Sequence, residues 1–261
     1  MKILVTGASS GIGAACAFRL AKAGHRVVGA SRSGSAPEGV VGHVLDIRDP
    51  QALESGLRNI VGDLGGLDAL VNSAGVAVAG ALEDTPLEFV RAQLETNLFG
   101  ATCLIRAALP YLRDQEGGRL VHVASLAVDV PLPFQALYCA AHAGLNALCE
   151  ALRYELEPVG VRVTVVSPGS VRTGLTANRR TARAGVVYAG AAEKVLTAND
   201  LDEEGGIPAE RIAEVVEKVL GRRVPPERVA VAHWHEKASG PLRRVLPERL
   251  FRRVIRSHYG I

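Results

Sequence analysis

Three glycines, Gly7, Gly11 and Gly13, stand in the run TGASSGIG over residues 6–13. An apolar, β-branched run, KILVT, leads into it, and an amphipathic stretch from Ile12 to Ala23 leads out. Glycines in that context permit a tight turn, let backbone approach a pyrophosphate, and let the helix pack closely on the sheet. The helix N-terminus then offers its free N–H groups to the phosphates. The spacing is G-x3-G-x-G, and Gly7, Ser9, Ser10, Gly11, Ile12 and Gly13 are the expected cradle for a dinucleotide. The next strand-like run, RVVGAS, ends at Ser31-Arg32. An acidic residue there would bind ribose hydroxyls and favour NAD; Ser31 followed by the cation of Arg32 suits a 2′-phosphate, which favours NADP(H) over NAD(H).

The elements that must position this turn alternate along the chain. Short β-branched runs recur as HVLD near Val44, DALVN near Leu70, RLVHVAS near Val121 and VRVTVVS near Val165. Helical periodicity fills the intervals at about 50–64, 86–113 and 136–159. The alternation predicts an α/β fold: a single-domain, Rossmann-type doubly wound parallel sheet with helices on both faces, spanning residues 1–261. After Val171 the rhythm weakens. Residues 173–206, rich in Gly, Thr and Asn, read as a mobile lobe of short helices that serves as a substrate lid. A helix over 208–220 and a strand over 229–232 follow. No repeat or linker divides the chain.

Composition narrows the class. Nearly half of the 261 residues are apolar (48%) and 22% are charged, enough for a large core and too little charge for disorder. No apolar run approaches the roughly 20 residues of a membrane-spanning helix. The apolar start runs directly into the glycine turn and reads as a first strand, not a signal peptide. Four scattered cysteines (Cys16, Cys103, Cys139, Cys149) form no CxxC pair and no metal-like group, which points to reduced thiols, a cytoplasmic protein and no metal site. A formal net charge of +3 does not suggest nucleic-acid binding. Its distribution is uneven: residues 222–261 hold ten Lys or Arg against three Asp or Glu, a net +7, leaving −4 on the rest. Residues 240–257, interrupted by Pro247, read as a basic C-terminal helix that packs its Leu, Val, Phe and Ile face on the core and exposes its arginines. A membrane-surface contact or a subunit interface is the alternative use of that segment.

A set of ordered motifs goes further. TGASSGIG, LDI at residues 45–47, NSAG at 72–75, TNLFG at 96–100, Ser125, Tyr138 thirteen residues on, and PGSVRT at 168–173 together resemble the classical short-chain dehydrogenase/reductase family. The resemblance is close over residues 1–173 and looser beyond. It implies that Asp46 and Ile47 lie beside the adenine, and that Asn72, Ala74 and Gly75 line the cofactor's path. Pro168, Gly169, Val171 and Thr173 would border the nicotinamide. It implies hydride transfer between nicotinamide and the carbonyl or alcohol carbon of a small molecule. Tyr138 would carry the proton, Ser125 would hydrogen-bond the reacting oxygen, and Asn97 would hold a water in the proton path. A phenol of free pKa about 10 suits that task once its surroundings tune it, and a hydroxyl aimed at the same oxygen stabilises developing charge. A homodimer or homotetramer paired through the two long helices is also implied.

One position departs from that family. Its YxxxK lysine binds the nicotinamide ribose and acidifies the tyrosine, whereas this chain reads Tyr138-Cys139-Ala140-Ala141-His142. Four residues on keeps His142 on the tyrosine's helix face, but an imidazole of free pKa about 6.5 is mostly neutral at pH 7. A nearby cation lowers an acid's pKa by about 1–3 units, so its loss removes about 1.4–4 kcal/mol of differential stabilisation. The favoured expectation is an NADPH-dependent reductase of a bulky ketone, polyketide or steroid-like, with Tyr138 and His142 also touching the cofactor. The alternatives are a non-redox dehydratase, cyclase or isomerase, and a cofactor-binding regulator with little activity.

Overall fold

The computed structural model describes all residues, Met1–Ile261. Its centre is a parallel sheet of seven strands: β1 (Lys2–Thr6), β2 (Arg26–Ser31), β3 (Val41–Val44), β4 (Ala69–Asn72), β5 (Arg119–Val123), β6 (Arg162–Pro168) and β7 (Arg228–Val231). Their spatial order is β3-β2-β1-β4-β5-β6-β7. Crossovers run through α1 (Gly11–Lys22), α2 (Pro50–Leu64), α3 (Leu87–Leu94), α4 (Ala101–Arg113), α5 (Ala136–Leu156), α6 (Ala189–Glu204) and α7 (Ala209–Leu220). Two more helices, α8 (Trp234–Val245) and α9 (Glu248–Tyr259), close the chain.

Strand alternation divides the core in two. Leu4, Leu70 and Leu120 face a cluster with Leu53, Ile60 and Leu104 of α2 and α4. Their neighbours Val5, Val71 and Val121 face the other way, toward Leu20 of α1 and Ile212 and Val216 of α7. The apolar strand runs are therefore continuous because both sheet faces are covered. The α1–α7 seam is closed at its rim by Arg19, whose Nε lies 2.5 Å from Glu217. Asp49 caps α2 by accepting from Gln51 and Ala52 backbone N–H groups, with Pro50 at the first helical position.

Three expectations meet a different outcome. The helix expected over 86–113 is interrupted by a π-turn at Glu95–Gly100, the kind of widening that recurs at functional sites. Residues 173–206 hold one 16-residue helix, α6, where short helices were expected. Its run of Ala, Glu, Lys and Leu favours a helix by propensity while lacking an amphipathic period. The basic helix expected over 240–257 is two helices: Leu246 takes ψ 140 before Pro247, as a residue preceding proline prefers. In α9, Phe251 and Tyr259 are buried and Ile255 is half-buried, while Leu250 (45%) and Val254 (47%) are exposed together with Arg249, Arg252, Arg253 and Arg256.

The seating of α1 on the turn that leaves β1 has no room for a side chain. A Cβ on Gly13 would fall well inside the van der Waals envelope of the Gly7 carbonyl, which is backbone and has no room to yield. Gly13→Ala is expected to lower unfolding free energy by about 2 kcal/mol or more through overpacking. A urea midpoint indistinguishable from that of the unsubstituted chain would show that the seat is looser than described.

Candidate active site

Strand order reverses between β1 and β4, so the loops leaving their C-terminal ends diverge and open a crevice. A cleft of about 650 Å³ lies there, within the ~300–1,000 Å³ usual for small-molecule sites. Gly7, Ser9, Ser10, Gly11, Ile12 and Gly13 all line it. Gly7 (φ +70°) and Gly11 (φ +54°) take left-handed conformations that favour glycine. Ser10, the N-cap of α1, makes no side-chain cap bond, and no acidic residue stands in the first turn. The positive end of α1 is thus not neutralised by its own cap or first turn.

At one end of the cleft stand Ser31, Arg32, Asp46 and Ile47. The Ser31 hydroxyl donates to the Ser35 carbonyl at 3.0 Å, so it is already engaged in its own turn. Asp46 accepts from Arg48, at 2.9 Å from Nε and 2.5 Å from Nη2. That hydrogen bond, helped by the charges of Arg48 and Arg32, holds the Asp46 carboxyl below its ordinary range. Arg48 also lines the cleft. Its only signal in the sequence was its place two residues after Asp46.

Ala74, Gly75 and Asn97 form the middle of the wall. Asn97 sits in the π-turn and clamps Val76, accepting from its N–H and donating to its carbonyl, both at 2.9 Å. Half of the carboxamide's bonding capacity is therefore committed, and a water held here would use what remains. Asn72 does not reach the wall. It is fully buried behind it, accepting from the Thr6 hydroxyl at 3.1 Å. Of the PGSVRT run only Thr173 reaches the cleft; Pro168 and Val171 are buried beneath it, and Gly169 packs against the Glu236 carboxylate.

Tyr138, in the first turn of α5, lines the cleft opposite the glycine turn. Ser125 caps the short turn Leu126–Val128, accepting from the Ala127 N–H at 3.1 Å. Burial pushes the Tyr138 phenol up from its ordinary value; a hydrogen bond with Ser125 opposes this, and the neighbouring Cys139 and Glu203 add to the rise. The His142 ring stands 4.4 Å from the Tyr138 ring, tilted by 56°. On its other side is His122 of β5, 6.4 Å away and inclined by 23°.

His122 was not expected at the site, because in RLVHVAS it reads as one polar member of an alternating strand. It is 3% exposed, and its Nδ1 lies 3.3 Å from the Asn72 amide nitrogen. The buried atoms His122 Nε2 and His142 Nδ1 have no hydrogen-bond partner. Burial lowers His142 to about 4, and burial together with His142 lowers His122 to about 3. Both imidazoles are therefore neutral at pH 7.

Glu203 of α6 was also missed, being some thirty residues from the loop it serves. Its carboxylate accepts from the backbone N–H groups of Thr173 (3.1 Å), Leu175 (2.9 Å) and Thr176 (2.8 Å), and from the Thr173 hydroxyl (3.1 Å). Burial pushes this carboxyl up, but the bonds from Thr176 and Thr173 bring it below its ordinary value. Glu203 thus closes residues 173–206 on themselves at the cleft's edge. The segment is tied to the rest of the chain by Asp84, which accepts from the Gly185 N–H at 2.7 Å, and Glu83, which accepts from the Tyr188 hydroxyl at 2.7 Å.

Comparison with known proteins agrees with this layout. Residues 1–184 match the family model for short chain dehydrogenases. The chain is 31% identical to 3-ketodihydrosphingosine reductase of Bacteroides thetaiotaomicron over 99% of its own length and 98% of that protein's. It is 34% identical to dehydrogenase/reductase SDR family member 7B of Bos taurus over 69% of this chain and 61% of that one. Among solved structures, a short-chain dehydrogenase from Streptomyces avermitilis superposes with a TM-score of 0.82 at 28% identity, covering 98% of each chain.

The two buried imidazoles carry a pH signature. Each titrates near 6.5 in an unfolded chain and far lower in the folded one, so acid favours unfolding. Their stabilising contribution is complete above pH 6.5 and declines as pH falls from there toward 4 and below. Urea unfolding free energy is expected to drop across pH 6.5–4 with a slope approaching two protons. His122→Asn, which keeps a partner for Asn72, should reduce that slope by about one proton. A flat profile above pH 4.5 would show the imidazoles to be exposed to solvent.

Proposed function

The chain belongs to the short-chain dehydrogenase/reductase family and is an oxidoreductase; from that premise we propose that it is an NADPH-dependent ketone reductase working chiefly in the reducing direction. The observation that carries this reading is the state of Tyr138. Burial raises its phenol above the ordinary value and so favours the protonated form, and the imidazole at its side is neutral. A protonated phenol is the acid that ketone reduction needs, whereas alcohol oxidation needs a phenolate.

The residues fit a nicotinamide dinucleotide. The glycine turn excludes a Cβ at Gly7, where it would come 2.8 Å from the Ser73 carbonyl, and the first turn of α1 carries no acid to repel phosphate. Gly7, Ser9, Ser10, Gly11, Ile12 and Gly13 would hold the pyrophosphate, and Arg32 with Arg48 would meet a 2′-phosphate, which supports NADP(H) over NAD(H). Asp46 and Ile47 would flank the adenine. Ala74, Gly75 and Thr173 would line the path to the nicotinamide, with Asn72, Pro168, Gly169 and Val171 supporting it from behind. When bound, the reduced nicotinamide supplies the hydride.

The chain's own part is the oxygen. Ser125 orients the carbonyl by donating a hydrogen bond, and Tyr138 delivers a proton to the same oxygen as it becomes an alkoxide. His142 takes the place of the family lysine as a neutral hydrogen-bonding group for the ribose, without its charge. Asn97 fixes Val76 and the loop beside it. Residues 173–206 form the substrate lid, closed on itself by Glu203. Full-length similarity to a 3-ketodihydrosphingosine reductase favours a ketone on a lipid-like chain. Four free cysteines support a reducing, cytoplasmic setting, and exposed Phe99 and Tyr154 support pairing through the two long helices.

The decisive measurement is NADPH consumption matched to carbonyl loss over a panel of lipid-like and bulky ketones. Turnover without net NADPH oxidation would move the chemistry to a non-redox reaction, and binding without turnover would leave a regulator. Tyr138→Phe is expected to cut kcat by at least ~100-fold with little change in NADPH affinity. Arg32→Glu should weaken NADPH selectively and bring NADH to parity or better; equal losses for both cofactors would remove Arg32 from 2′-phosphate recognition.

His142→Lys restores a cation beside the phenol. It should raise the rate at pH 7, and raise alcohol oxidation by a larger factor than ketone reduction, about tenfold per unit of lowered Tyr138 pKa. A rate that is unchanged or lower would mean that the site is built around the imidazole.

A further inference from the structure

We propose that the outward face of α8 is a docking surface for an anionic lipid membrane. A surface helix ordinarily turns its apolar stripe to the core, and α8 does the reverse. Toward the protein it presents polar groups. Glu236 accepts from the Ser170 N–H at 2.7 Å, Arg243 donates to the Asp129 carbonyl, and Gly240 lies against Asp129. Toward solvent it presents Trp234, Ala238, Pro241 and Val245, all exposed. Their spacing of four, three and four residues places them in one stripe. Trp234 is 82% and Val245 81% exposed, Leu242 borders the stripe at 40%, and no residue of the helix is buried.

Scattered apolar residues on a surface need no explanation, but an ordered stripe marks a contact. Charge selects its occupant. Lys237 and Arg244 flank the stripe, Arg249, Arg252 and Arg253 follow on the exposed side of α9, and residues 222–261 carry a net +7. A second copy brought to the same face would oppose like charges. An anionic bilayer is complementary to those charges, and a tryptophan-bearing apolar face flanked by cations is the composition of a helix that lies in a lipid interface. The inward face of α8 rests on Ser170 and Asp129, in the loops that follow Pro168 and Ser125. Docking would therefore set the reacting centre beside the membrane. This assignment does not depend on which ketone is reduced.

Trp234 is the only tryptophan in the chain, so its fluorescence reads this face directly. The full chain would be mixed with vesicles of phosphatidylcholine alone and of phosphatidylcholine with phosphatidylglycerol. Expected are a blue shift of emission and co-flotation with the anionic vesicles only, both weakening as salt is raised. Val245→Asp should lower partition roughly tenfold while leaving turnover of a water-soluble ketone unchanged. Absence of both shift and flotation would overturn the proposal. So would equal partition onto phosphatidylcholine alone, or partition indifferent to Val245→Asp. A shift that grows with protein concentration without lipid would assign the face to a second copy, and would overturn it equally.

Discussion

The structure turns on a row of buried polar groups that crosses the C-terminal ends of three adjacent strands. Thr6 of β1 donates to Asn72 of β4, whose amide reaches His122 of β5, and the Ser73 N–H returns to the Thr6 hydroxyl at 3.3 Å. Polar groups taken out of water must find partners or destabilise the fold by about 1–3 kcal/mol each. This row holds the three strand ends together at the point where strand order reverses. The glycine turn leaves one end of it, and His142 and Tyr138 stand at the other. Hydrogen bonds thus link the strand that leads into the glycine turn to His122, which stands beside His142, while His122 Nε2 and His142 Nδ1 stay without partners.

The same row sets the electrostatics of the reacting end. Its far member His122 and the neighbouring His142 lie in a part of the interior where charge is disfavoured, and both are neutral in consequence. A lysine at position 142 would bring a permanent charge against His122. Histidine in its place removes that conflict, and with it the cation that would acidify Tyr138. The two unusual side chains are therefore one feature: a polar but uncharged floor, consistent with a phenol kept as an acid.

Much of this was legible in the sequence, for reasons that differ by residue. The glycine turn was readable because its requirement is conformational and local: positive φ at Gly7 and Gly11, and no Cβ at Gly13. The strands were readable because burial on both faces leaves continuous apolar runs, and Tyr138 because the ordered motifs around it fix its place. What escaped was set by contacts distant in sequence. His122 matters through Asn72, fifty residues earlier, and Glu203 through backbone amides some thirty residues away. Arg48 matters because it pairs with Asp46, the carboxylate that lines the same end of the cleft. The Ser31 hydroxyl and half of the Asn97 carboxamide turned out to be engaged with backbone, which no residue type announces.

The C-terminal segment escaped for a further reason, which returns to the polar constraint. Periodicity predicts which face of a helix is apolar, and packing is then assumed to follow. The loops after Ser125 and Pro168, however, present backbone and carboxylate groups that need partners. Arg228 answers Asp129 at 3.0 and 2.5 Å, Glu236 answers Ser170, and Arg243 answers the Asp129 carbonyl. A helix recruited to satisfy such groups must turn its polar side inward, and its apolar side is then left to solvent. The inversion of α8 follows from the chemistry of what lies beneath it, and the exposed stripe follows from the inversion. The loops after Ser125 and Pro168 are steadied by the helix that also gives the protein its apolar, cation-flanked surface.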